Sequence, residues 1–146
     1  MVWEIFEVEA GETLVLLDSF IMADDFAVVF ATLKSLLAGF AQRLSVKTDV
    51  AGEYTIETKS PSPFPQQKGQ PLFFATVKTG KAYVSLHLLP LYMCPKLTDT
   101  ISPALKKRMQ GKACFNFKAV PEASLIAELK QLMTRSLETW SGKGWL

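Results

Sequence analysis

The sequence has few of the side chains from which metal sites and disulfide frameworks are built. Its 146 residues include two cysteines, Cys94 and Cys114, and one histidine, His87. A zinc site needs three or four cysteine, histidine or carboxylate ligands, and the sequence has no CxxC motif, so no metal site is predicted. Two cysteines are too few for a disulfide framework, and we therefore expect reduced thiols in a cytoplasmic protein.

The sequence also lacks a hydrophobic run long enough to cross a membrane. Spanning the hydrocarbon core takes about 20 predominantly apolar residues. The first residues are acidic, with Glu4, Glu7, Glu9 and Glu12 where a secretory signal would be basic, and the apolar stretch at 14–17 is too short for such a signal. We therefore expect neither secretion nor membrane association.

The net charge is only +2, but it is divided unevenly along the chain. Acidic residues dominate before residue 60 and basic residues dominate after it. The densest basic group is a candidate anion-binding segment, which consists of Lys106, Lys107, Arg108, Lys112 and Lys118. The alternative is that these side chains are solvated on a helix and on strand edges.

Nucleic acid is not favoured as a partner of this basic segment. The isoelectric point of about 8.5 lies below the value above about 9 that is typical of nucleic-acid-binding domains. Stacking of bases requires exposed aromatic rings in a basic groove. Phe115 and Phe117 share one face of a short predicted strand, which predicts that they belong to the core.

Hydrophobic periodicity predicts one α+β domain over residues 22–146, preceded by an extension over residues 1–21. Helical spacing and the two-residue period of strands alternate along the chain without a repeat or a linker. The economical arrangement is an antiparallel sheet of about five strands with helices packed on one face. The predicted elements are a helix at 24–44, strands at 45–49, 53–59, 72–78 and 81–89, a helix at 102–110, a strand at 113–118 and a helix from residue 121.

Turn and cap residues indicate where these elements begin and end. Thr79 and Gly80 join two extended runs and predict a β-hairpin. Ser102 followed by Pro103 is typical of a helix start, and Gly111 is predicted to end that helix. The apolar stripes predict a core that includes Phe30, Leu33, Leu37, Val84, Leu86, Leu129 and Leu132.

Alternation on the strand at 81–89 divides its side chains between two faces. Val84, Leu86 and Leu88 share an apolar face, which belongs under the helices. The strand at 113–118 alternates in the same way. If the two strands are neighbours, their other faces together display five side chains with polar groups: Tyr83, Ser85, His87, Cys114 and Asn116.

These five residues are candidates for holding a small polar ligand, because hydroxyl, amide and imidazole groups can orient such a molecule. Two alternatives stay open. Cys114 and His87 could act as a thiol nucleophile and its base, which would make the chain an enzyme. The five residues could also make only structural hydrogen bonds. A non-enzymatic ligand-binding or chaperone-like protein is the leading hypothesis. The alternative functions are an anion- or nucleic-acid-binding module that uses the basic segment from Lys106 to Lys118, and a thiol enzyme that uses Cys114 and His87. The residues do not identify a cofactor or an oligomeric state.

Three segments of the chain carry a family resemblance: residues 71–74 (PLFF), residues 82–90 (AYVSLHLLP) and residues 101–118 (ISPALKKRMQGKACFNFK). They resemble the YdhG-like domain family of unknown function, and the resemblance extends over residues 24–140. It implies an intracellular α+β domain with a fold similar to that of frataxin. Some relatives in the family have been proposed as iron chaperones, so the resemblance bears on fold more than on activity.

The acidic residues of this chain differ from the pattern of a frataxin-like iron binder. Such a binder presents a dense acidic ridge on its first helix and first strand. Here the first helix offers Asp24 and Asp25 at its start, and the following strands add Asp49, Glu53 and Glu57. Iron binding is therefore not predicted.

Overall fold

Six antiparallel strands form one sheet in the computed structural model, which describes residues 25–146. The strands are β1 Ser45–Val50, β2 Glu53–Pro61, β3 Pro71–Thr79, β4 Val84–Leu88, β5 Met109–Gln110 and β6 Cys114–Phe117. Their order across the sheet is β1-β2-β3-β4-β6-β5, so β4 lies between β3 and β6. The predicted antiparallel α+β sheet is confirmed, with one strand more than expected. The predicted extension at 1–21 lies outside the described residues.

Within residues 25–146, four α-helices accompany the sheet: α1 Phe26–Ala38, α2 Leu89–Met93, α3 Pro103–Lys106 and α4 Ala123–Gly142. The carboxylate of Asp25 caps α1 by accepting a hydrogen bond from the Ala27 N–H at 2.8 Å. The predicted range of this helix, 24–44, is too long. The chain leaves the α-helix at Gly39 and continues as a separate 3-10 turn at Ala41–Arg43, and apolar spacing does not distinguish the two conformations.

The segment after Ser102 differs from the predicted helix at 102–110. The Ser102 hydroxyl does cap α3, accepting a hydrogen bond from the Leu105 N–H at 3.2 Å, but α3 is only four residues long. Met109 and Gln110 instead form the edge strand β5, which pairs with β6. Gly111, predicted to end the helix, lies in the turn between β5 and β6 with a φ of 75°. Pairing with β6 overrides the local helix propensity of this segment.

A carboxylate from α4 completes the start of α3. Glu128 accepts one hydrogen bond from the Ser102 N–H at 2.7 Å and another from the Ser102 hydroxyl at 2.6 Å. Hydrogen bonds to a charged acceptor are stronger than neutral ones. This contact holds the segment that precedes β5 and β6 against the long helix.

One face of the sheet packs under α1 and α4 and forms the core. Six of the predicted core residues are fully buried: Leu33, Leu37, Val84, Leu86, Leu129 and Leu132. Phe30 is only half-buried, which corrects its assignment to the core. The buried line of α1 runs through Val29, Leu33 and Leu37 at four-residue spacing, and Phe30 lies beside that line.

An aromatic cluster fastens the C-terminal end of α4 to the sheet. Trp140 is fully buried, and its ring centroid lies 5.2 Å from that of Phe74 in β3 in an edge-to-face arrangement. Trp145 contacts Trp140 at 5.8 Å and Phe64 at 5.2 Å between centroids. Each such aromatic pair adds about 0.5–1.5 kcal/mol beyond the burial of its area.

Truncating Leu86 to alanine should lower the free energy of unfolding by about 2–5 kcal/mol, because the fully buried site can refill only in part. Chemical denaturation measures the difference. Val50→Ala is the control, because Val50 lies on the edge strand β1 and is 58% exposed. Its truncation should cost less than about 1 kcal/mol. Equal losses in the two variants would contradict the assignment of the faces of β4.

Candidate functional site

Strands β4 and β6 lie side by side and bring four of the five predicted site residues onto one face of the sheet. Ser85 is the register partner of Asn116, and His87 is the register partner of Cys114. Cross-strand partners project from the same face. Tyr83 immediately precedes β4 rather than lying within it. The neighbour relation on which the sequence prediction depended is therefore present.

Hydrogen bonds join most of these side chains into what we call the Asn116 network, which consists of Tyr83, Ser85, Gln110, Cys114 and Asn116. The Ser85 hydroxyl donates to Asn116 Oδ1 at 3.0 Å, and Asn116 Nδ2 donates to Gln110 Oε1 at 2.6 Å. The Tyr83 hydroxyl donates to the same Gln110 oxygen at 3.4 Å. The Cys114 thiol donates weakly to Asn116 Oδ1, with 3.8 Å between sulfur and oxygen. Asn116 is therefore the centre of the network.

Gln110 belongs to this network although the sequence analysis placed it at the end of a helix. It reaches Asn116 because β5 pairs with β6, where Gln110 is the register partner of Cys114. The sequence did contain a signal for a hairpin here: Gly111 and Lys112 favour a turn, and the residues on both sides of them can form strands. Reading that turn as a hairpin rather than as a helix end would have placed Gln110 on the same face as Cys114.

His87 lies beside the Asn116 network and contacts Phe73 of β3. The two ring centroids are 5.4 Å apart and the ring planes are inclined by 77°. Partial burial lowers the pKa of His87 from its ordinary value of 6.5, because it disfavours the charged imidazolium. The imidazole is therefore neutral at pH 7 and offers one N–H donor and one nitrogen acceptor.

An irregularity in β3 explains why Phe73 shares a face with His87. Thr76 is the register partner of His87, and strict alternation from Thr76 would put Phe73 on the opposite face. The pairing of β2 with β3 shifts register between Ile56 and Glu57, and both Phe74 and Ala75 are buried. Such a bulge reverses the parity of the strand, and a sequence of alternating residues does not reveal it.

Cys114 has the properties of a protonated thiol rather than of an activated nucleophile. Burial raises its pKa, and a hydrogen bond with Ser85 offsets this to a smaller degree. A catalytic cysteine needs a lowered pKa and a base within hydrogen-bond reach. Here the hydrogen bond that the Cys114 thiol donates goes to Asn116. Neither the raised pKa nor this hydrogen bond is a feature of an activated thiol.

The basic segment flanks β5 and β6 along the chain, the strands that carry Gln110 and Asn116. Its five side chains are exposed: Lys106, Lys107, Arg108, Lys112 and Lys118. The Arg108 guanidinium lies over the ring of Phe117, 6.0 Å from its centroid. Phe115 and Phe117 are fully buried, as the sequence predicts, so neither offers a surface on which bases could stack.

Residues 25–146 contain no group of three histidine, cysteine, aspartate or glutamate side chains that could hold a metal ion. No helix within this range is long and apolar enough to cross a membrane. No protein-family model, curated protein or solved structure matches the chain. The resemblance to the YdhG-like family and the frataxin-like label therefore stay predictions.

Stability should fall as the pH is lowered from about 7.5 to about 5, and part of this fall should come from His87. The unfolded chain takes up a proton near the ordinary pKa of 6.5, whereas the folded chain, in which that pKa is lowered, resists protonation. Above pH 7.5 both states are neutral at this residue, and below the folded pKa the loss is complete. Urea denaturation across this pH range measures it.

The control is His87→Gln, which keeps hydrogen-bonding capacity but does not titrate. Its free energy of unfolding should depend less steeply on pH within that window than that of the unchanged chain. Equal slopes in the two chains would contradict the partial burial of the imidazole.

Proposed function

We propose that the chain is a non-enzymatic binding protein and that it holds a small polar ligand at the Asn116 network and His87. The observation that carries this proposal is the continuous set of hydrogen bonds from Ser85 through Asn116 to Gln110. These side chains stand on paired strands, which hold functional groups more rigidly than loops do. Ser85 and Asn116 are half-buried, and Gln110 is exposed.

The chemistry of the face defines the class of ligand. Asn116 gives one of the two hydrogens of Nδ2 to Gln110, and the second is suited to an acceptor on a ligand. The neutral His87 adds one donor and one acceptor within the same area. The ring of Phe73 supplies an apolar flank next to them. A small, uncharged molecule with both donors and acceptors and one flat apolar side meets these groups best.

Thiol catalysis is the alternative that the same residues raise, and the state of Cys114 speaks against it. A raised pKa keeps the fraction of reactive thiolate small at neutral pH. The neutral His87 has a lowered pKa, so it is a weak proton acceptor. Both shifts have the same cause, which is partial burial, and both oppose formation of a thiolate–imidazolium pair.

Cys114 should react with a disulfide reagent more slowly than the free amino acid does at pH 7.5, because burial raises its pKa. The chain with Cys94→Ser isolates this thiol, and the chain with Cys114→Ser isolates Cys94 as a comparison. Stopped-flow absorbance with Ellman's reagent measures both rates. A reaction of Cys114 faster than that of free cysteine would contradict the binding proposal and favour a thiol enzyme.

Titration of the isotopically labelled chain with a panel of uncharged polar metabolites should shift the NMR signals of Ser85, His87 and Asn116 together. Asn116→Ala should weaken binding of any such compound by about tenfold, the usual effect of losing one or two hydrogen bonds. Thr48→Ala is the control, because Thr48 lies in β1, at the edge of the sheet opposite to β5, where it pairs with Thr55 of β2. It should leave the affinity unchanged.

Two outcomes would overturn the proposal. One is that no compound perturbs the Asn116 network although the signals of Ser85 and His87 are resolved. The other is that the Asn116→Ala chain, folded as judged by its spectrum, binds as tightly as the unchanged chain.

A further inference from the structure

A groove of about 680 Å³ lies on the molecule away from the Asn116 network. One wall is the segment from Met93 to Thr100, which includes the 3-10 turn Pro95–Thr98, and the other is the end of α4. Among residues 25–146, no residue of a strand lines it. Its volume falls within the range of about 300–1,000 Å³ that is typical of sites for small molecules.

Positive charge is concentrated along this groove. Its lining includes Lys96, Arg135 and Lys143, and no carboxylate contributes to the lining within the part of the chain that the structure describes. Arg135, Thr139 and Lys143 follow one another at four-residue spacing, which puts them on the same side of α4. A ligand in the groove would therefore meet cations from α4 on one side and Lys96 on the other.

Two of the three cations are held by neighbouring groups. Arg135 Nη2 donates a hydrogen bond to Thr100 Oγ1 across the groove at 3.0 Å. Lys143 Nζ lies over the ring of Trp145, 5.3 Å from its centroid. Such contacts reduce the entropy that a long side chain loses when it binds an anion. A guanidinium held in this way can still offer its other N–H groups to a carboxylate or phosphate.

Apolar side chains complete the groove. Met93 and Leu97 are half-buried and pack against the hydrophobic core, with Cys94 between them in sequence. Methionine adapts its shape to different apolar partners. The groove thus joins an apolar surface to a cluster of cations.

We propose that this groove is a second binding site, which takes a small organic anion with an apolar body. The carboxylate or phosphate head contacts Arg135, with Lys96 or Lys143 nearby, and the apolar body lies on Met93 and Leu97. This site is independent of the Asn116 network, because none of its lining residues belongs to that network. It is also distinct from the basic segment between Lys106 and Lys118.

Isothermal titration calorimetry of the full chain with octanoate, octyl phosphate and 1-octanol tests the proposal. At least one of the two anions should bind saturably and at least about tenfold more tightly than the neutral alcohol. Binding of one anion alone identifies the head group. The proposal is overturned if neither anion binds saturably up to about 10 mM, or if the alcohol binds as tightly as the anions.

Variants then assign the binding to the groove. Arg135→Gln should weaken binding by at least about tenfold, and Lys143→Gln provides a second test at the same wall. Lys112→Gln removes the same charge from the basic segment and should leave the affinity unchanged. If Lys112→Gln weakens binding while neither Arg135→Gln nor Lys143→Gln does, the anion binds at the basic segment and the groove is refuted as its site. Asn116→Ala should also have no effect, which separates this site from the sheet face.

Alkylation of Cys94 supplies a second readout, which does not rely on calorimetry. In the Cys114→Ser chain, a saturating amount of the bound anion should slow the reaction of Cys94 with iodoacetamide, followed by mass spectrometry. Unchanged alkylation of Cys94 at saturation would place the anion outside the groove.

Discussion

The two-residue period of β4 is the constraint on which both the core and the sheet face depend. Val84, Leu86 and Leu88 are fully buried, so Ser85 and His87 must project from the other side. A slip of one residue would bury the imidazole under the helices and expose three aliphatic side chains. Burial of the apolar face of β4 therefore also fixes the face from which its polar side chains project.

Neighbouring strands extend this division across the sheet. In β6 the fully buried Phe115 and Phe117 alternate with Cys114 and Asn116, and in β5 Gln110 joins the polar side. The helical side carries a different chemistry, with cations gathered at the end of α4. The two proposed binding surfaces are therefore separate, one for neutral hydrogen-bonding groups and one for an anion. Their separation allows each to be altered without the other.

Local patterns in the sequence predict those strands and helices that bury one apolar face or stripe of their own. Alternation identifies both faces of β4 and β6, and Ser102 marks the start of α3. Local patterns do not predict features that depend on residues distant in the sequence. Gln110 becomes part of a strand only because β6 lies beside it, and the bulge before Ala75 changes the side to which Phe73 points. The groove combines segments some forty residues apart in the chain, from Met93 to Thr100 and from Arg135 to Lys143.

The proposed binding function requires that the face of β4 opposite the core be open to solvent and to ligands. Solvent paramagnetic relaxation measures this directly, with a soluble gadolinium chelate added to the full labelled chain. Imidazole protons of His87 and side-chain amide protons of Asn116 should relax severalfold faster than the methyl protons of Leu86, because only the former approach the solvent. Equal protection of His87 and Leu86 would contradict the account, since both faces of β4 would then be covered.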